Sequence, residues 1–222
     1  MKRILALAVL SLAFFAPGAW AVTTYTYVSP SYDTITNYTP ACGGGDCQNY
    51  LPGMNLSGSV KMTAPPAPNL VGADITPQVV SWSFSDGLKT IRSSDASARL
   101  ESPFIVWTDA EGNILAMDFQ VQAWQTGAGP HMAGDRYGII SSFFISTFVL
   151  HNGTCSTVGV SGAGDADSCI GDTFLPDERS EATSELGVWT AFPHQVPALA
   201  AWGVLALGAL LGIVGFSARR RS

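Results

Sequence analysis

Apolar and polar residues alternate with a period of two through much of this chain, and that period limits what it can fold into. Leu56, Gly58, Val60 and Met62 alternate with Ser57, Ser59 and Lys61. Val80, Trp82 and Phe84 alternate with Ser81, Ser83 and Ser85. Leu115, Met117, Phe119, Val121 and Ala123 alternate with Ala116, Asp118, Gln120 and Gln122. Successive strand side chains point to opposite faces, so each run predicts a strand with one buried and one wet face. Asp86-Gly87 predicts a tight hairpin turn. Asp109 to Asn113 predicts a longer loop joining Phe104–Thr108 to Ile114–Trp124. Ile139 to Leu150 is apolar on both faces and reads as a central strand, with a helix as the alternative. Val188, Thr190 and Phe192 read as a last short strand. Short strands separated by Gly and Pro turns, without capped helical periods, predict an all-β fold: an antiparallel β-sandwich, jelly-roll or immunoglobulin-like.

The two ends follow other rules. Met1-Lys2-Arg3 is basic, Ile4 to Phe15 is apolar, and Pro17-Gly18 breaks the run before Ala19-Trp20-Ala21. Basic start, short apolar run and small-x-small site are the three parts of a secretory signal, with cleavage expected after Ala21. At the other end, the 23 residues from Val196 to Ala218 carry no charge, and Arg219, Arg220 and Arg221 follow. A helix needs about 20 such residues to cross a hydrocarbon core. Trp202 suits the headgroup layer, and the arginines belong on the cytoplasmic side, which sends the preceding domain outward. The expected plan is a signal peptide over 1–21, an exported β domain over 22–192 and a C-terminal signal over 193–222. Within that signal the motif spans 196–203, the membrane helix about 199–218 and the basic tail 219–221.

Val196, Pro197, Ala198 and Leu199, then Trp202 and Gly203, an apolar helix and a basic end together resemble the IPTL-CTERM sorting signal, a relative of PEP-CTERM. That family's tail reads Ile-Pro-Thr-Leu-Ser-x-Trp-Gly; this chain has Val196 for Ile, Ala198 for Thr and Ala200 for Ser. The resemblance implies anchoring in the inner membrane of a Gram-negative bacterium. It further implies processing by an exosortase-type membrane enzyme and delivery to the cell surface or extracellular matrix. Fragments of the middle, such as Leu56–Val60, Ser83–Gly87 and Gly187–Trp189, resemble domains of PEP-CTERM-type surface proteins, which bring no functional residues with them.

Six of the eleven basic residues and all seventeen acidic ones lie between Val22 and Gln195, so the exported part carries a net charge of −11. That field repels nucleic acid and anionic headgroups. Four cysteines in an exported chain predict two disulfides, and the shortest loops come from Cys42–Cys47 and Cys155–Cys169. Zinc is the competing reading, without Cys-x-x-Cys spacing to support it.

No nucleophile elbow, zinc-protease or phosphate-loop motif is present, so no catalytic residue is assigned. His131, His151 and His194 read as loop histidines without a task. Asp165, Asp167 and Asp172 crowd a Gly-rich loop where oxygen ligands hold calcium in other proteins; the alternative is a solvated loop closed by a disulfide. Asp109 and Glu111 suit a turn better than a glycosidase. Tyr25, Tyr27, Tyr32 and Tyr38 with Trp82, Trp107, Trp124 and Trp189 raise an aromatic platform for a matrix polysaccharide. Trp82, sharing a face with Val80 and Phe84, is expected in the core. The leading expectation is a non-enzymatic surface or matrix component, with a carbohydrate-binding module second.

Overall fold

Tyr25 and Tyr27 alternate with Thr24, Thr26 and Val28, and this opens the first strand, β1 (Thr23–Ser31). The computed structural model describes residues 22–192. The expected signal peptide with Ala19 and Ala21, the sorting motif, the membrane helix and the arginine tail lie outside the described residues. No helix among the described residues is long and apolar enough to cross a membrane.

Twelve further strands follow. They are β2 (Thr34–Thr36), β3 (Asn55–Met62), β4 (Ala73–Asp74), β5 (Val79–Ser85), β6 (Thr90–Arg92) and β7 (Ala98–Thr108). Then come β8 (Ile114–Trp124), β9 (Arg136–Phe143), β10 (Ser146–Gly159), β11 (Ser168–Thr173), β12 (Ser180–Glu185) and β13 (Val188–Phe192). One sheet runs β13-β1-β3-β5-β6. The larger runs β2-β12-β10-β9-β8-β7-β4, with β11 added to β10. Every pairing is antiparallel. The centre of the larger sheet, β7-β8-β9-β10, is a meander of consecutive neighbours rather than the crossing order of a jelly roll or immunoglobulin domain.

The inner faces meet over one apolar core of Tyr27, Leu56, Phe84, Phe104, Phe119, Trp189 and their neighbours. Phe84 of the smaller sheet stacks on Phe119 of the larger, ring centroids 4.0 Å apart. Position 58 opposite Phe84 must be glycine, because a Cβ there would strike the Phe84 ring.

Three local readings change. Ile139 to Leu150 is neither one strand nor a helix: β9 and β10 pair through a turn at Phe144-Ile145. Val80 is exposed, unlike Trp82 and Phe84, because the register slips between Lys61 and Met62 and leaves Val80 unpaired. Leu115 is exposed while Ala116 and Met117 are both buried, next to the slip at Trp107/Thr108.

Candidate functional site

The far half of β10 continues past the meander and pairs with β11, and Cys155–Cys169 ties the two together. This layer covers outward-facing residues of the larger sheet. Trp124 and Tyr137 pack against the two cysteines in a second, smaller apolar cluster, with Ile139 and Val158 beside it. Gln122, on the same face, is also buried.

Asp167 joins the loops around this layer. Its carboxylate accepts from the His131 backbone N–H at 2.8 Å and meets His131 Nδ1 at 2.7 Å. Arg99 Nη2 donates to it at 2.8 Å. The Asp167 carbonyl accepts from Trp124 Nε1 at 2.8 Å, and the His131 ring stacks on Trp124 at 4.2 Å between centroids. Burial pushes the Asp167 carboxyl up, but hydrogen bonds from His131 and Arg99 outweigh it and hold it below the ordinary value.

The other two aspartates have different partners. Asp165 Oδ2 accepts from the Leu100 N–H at 2.6 Å, and Asp172 pairs with Arg179, which also pairs with Glu181. The calcium candidates Asp165, Asp167 and Asp172 therefore each serve a separate structural contact. Among the described residues no group of three or more His, Cys, Asp or Glu is placed to hold a metal ion.

A second feature lies where Cys42–Cys47 closes the loop Gly43-Gly44-Gly45-Asp46. Buried Asn152 holds the loop from below, donating Nδ2 to the Gly44 carbonyl at 2.9 Å and the Glu178 carbonyl at 2.8 Å. His151 Nε2 donates to the Asp46 carbonyl at 2.7 Å, and the Asp46 N–H donates to Gln125 Oε1 at 2.8 Å. Arg136 pairs with Glu178 beside it. The loop, Gln125, Thr126 and Gly134 to Arg136 bound an open cleft of about 700 Å³. Its lining offers amides, two carboxylates and a paired guanidinium, but sets no nucleophile beside a base.

The tryptophan platform is not found among the described residues, Trp82 lies in the core as expected, and the reading of His151 as a loop residue changes. Trp82, Trp124 and Trp189 are buried, and half-buried Trp107 meets Phe144 edge-on, so no exposed tryptophan platform exists on either described sheet. Tyr25, Tyr27 and Tyr32 are buried as well. His151 lies within β10 rather than a loop, and both it and His131 are buried and hydrogen-bonded. His194 lies outside the described residues. Asp109 accepts from the N–H groups of Glu111 and Asn113 and from Asn113 Nδ2, the role of a turn residue.

Asp86 carries more than the sequence suggested. Buried beside its hairpin, it accepts from Tyr50 Oη at 2.8 Å and from the Leu88 and Lys89 N–H groups, and its carbonyl accepts from Tyr32 Oη. Asp-Gly announced only a turn; no local signal marked a carboxylate that ties two distant tyrosines to it.

A family model described as the IPTL-CTERM motif matches residues 195–221. That stretch holds Val196, Pro197, Ala198, Leu199, Trp202, Gly203 and the three arginines, so the chain carries a PEP-CTERM-like sorting signal. No curated protein and no solved structure matches this chain.

Proposed function

We propose that this protein is an exported surface or matrix component, held at the inner membrane by its C-terminal helix until an exosortase-type enzyme processes the tail. The observation that carries this reading is the sorting-signal match over residues 195–221. The secretory pattern of residues 1–21 fits it, as does the uncharged run from Val196 to Ala218. Two disulfides fit an oxidising compartment. The β domain acts by presentation rather than catalysis: its buried histidines and aspartates are engaged in structural contacts.

Fractionation of cells expressing the intact chain and a chain stopped after Gln195 tests this. The intact chain is expected in the inner-membrane and surface fractions, and the stopped chain in the soluble periplasm. Equal distribution of the two overturns the reading.

A further inference from the structure

The outer face of the smaller sheet is a registered array of hydroxyls. One row across the strands reads Thr190, Thr26, Ser59 and Ser83. The next reads Val188, Val28, Ser57, Ser85 and Thr90. Burial alternates along each strand, so these side chains point away from the core. Neighbouring strands lie about 4.8 Å apart and alternate residues about 6.8 Å apart, which sets the mesh of the array. Among the described residues, Ser57, Ser59, Ser83 and Thr90 make no side-chain hydrogen bond to protein, and Thr26 makes only a long one, at 3.5 Å. A shallow groove of about 420 Å³ runs over these two rows.

We propose that this face binds an extended, uncharged polysaccharide. Protein partners are anchored by aromatic, Met and Arg side chains, and Ser is depleted at such interfaces, so this face is poorly suited to a protein. A lipid surface needs a continuous apolar stripe, and in these two rows the only apolar residues are the adjacent pair Val28 and Val188. A polyanion meets a domain of net charge −11. The central rows hold no carboxylate; their charged neighbours are Arg92, opposite Ser83 at the sheet edge, and Lys61, two residues along β3 from Ser59. A polymer whose own surface is hydroxyl exchanges hydrogen bonds with the array row by row. Each exchange is weak, and successive sugar units add avidity. The buried tryptophans explain why the site lies here and not on an aromatic platform. The proposal rests on the surface reading only for where the polymer is met.

Affinity electrophoresis of the full-length chain in detergent, through gels containing hydroxyethyl cellulose, tests this without reference to sorting. The wild type is expected to be retarded. Ser59→Trp, which fills the groove from outside the core, abolishes the retardation. The double variant Ser57→Ala/Ser83→Ala reduces it at least threefold. Thr126→Trp, in the glycine-loop cleft, leaves it unchanged, and all variants keep the wild-type melting temperature. No retardation of the wild type overturns the proposal. So does stronger retardation by carboxymethyl cellulose, or loss with Thr126→Trp but not Ser59→Trp. Sedimentation showing a dimer that Ser59→Trp dissociates assigns the face to self-association and also overturns it.

Discussion

Thr24 of β1 lies directly opposite Phe192 of β13, so the described domain begins and ends at neighbouring positions of one sheet. From Thr24 the strand runs to Ser31, next to Tyr32, whose hydroxyl meets the Asp86 carbonyl. Eight residues of strand span about 27 Å. The Tyr32–Tyr50–Asp86 loops therefore lie at the opposite end of β1 from the point where the described domain ends, the end at which the proposed anchor would follow.

This pairing makes β13 part of the fold. Trp189 packs on Tyr27 with centroids 4.9 Å apart and meets Phe84 and Phe119 edge-on. Trp189→Ala is expected to cost about 3–5 kcal/mol in denaturant unfolding. Stopping the chain after Gln195 leaves unfolding of the domain unchanged.

Asp167 and Glu101 are expected to respond to acid in opposite directions. Asp167 titrates below its ordinary value in the fold, so its contribution is present above the unfolded value and lost as pH falls through the folded one. The stability gap between wild type and Asp167→Asn should therefore be full at pH 7 and close below about pH 4. Glu101 behaves otherwise. Burial pushes its carboxyl up, Asp165 pushes it further, and its Oε2 has no hydrogen-bond partner among the described residues. The folded state disfavours its charge, so Glu101→Gln should raise the melting temperature at pH 7, with the gain vanishing below about pH 4.3. Thermal melts of both variants from pH 3 to pH 8 check the two signs.

The disulfides differ in the loops they close. Cys155 and Cys169 are 14 residues apart, and Cys42 and Cys47 are 5 apart. By loop entropy, replacing the first pair with serine is expected to cost about 3 kcal/mol and the second about 2 kcal/mol. The first also opens the layer over Trp124 and Tyr137, which should appear as a red shift in tryptophan fluorescence before global unfolding.

Gly45 has φ +81°, and a Cβ there would strike Asn152 Oδ1. Gly45→Ala should destabilise by about 1–3 kcal/mol and loosen the cleft rim, checked by denaturant unfolding and by faster proteolysis within residues 42–47.

How much of this was legible depends on how local the cause is. The alternation from Leu56 to Met62 and at Trp82 and Phe84 predicted strands whose core face the structure keeps. The turn at Phe144-Ile145 was hidden because neither residue is a turn former; β9 and β10 set it by pairing. Trp124, Gln122 and Tyr137 lie on a face that alternation alone leaves wet, and the β10–β11 layer buries them. Nothing in residues 115–137 announces a cover supplied by residues 155–173. The aspartates of residues 165–172 were visible as a cluster, but their partners Arg99, Leu100, His131 and Arg179 come from three other parts of the chain.

The intact mass of the protein released from the cell surface tests the central claim most directly. The account predicts a chain that begins at Val22, contains Phe192, keeps both disulfides and has lost Arg219 to Arg221. In cells lacking the exosortase-type enzyme, the arginines are retained in the membrane fraction. A chain of 222 residues recovered intact from the cytosol, with reduced cysteines and in the same amount with or without that enzyme, would contradict it.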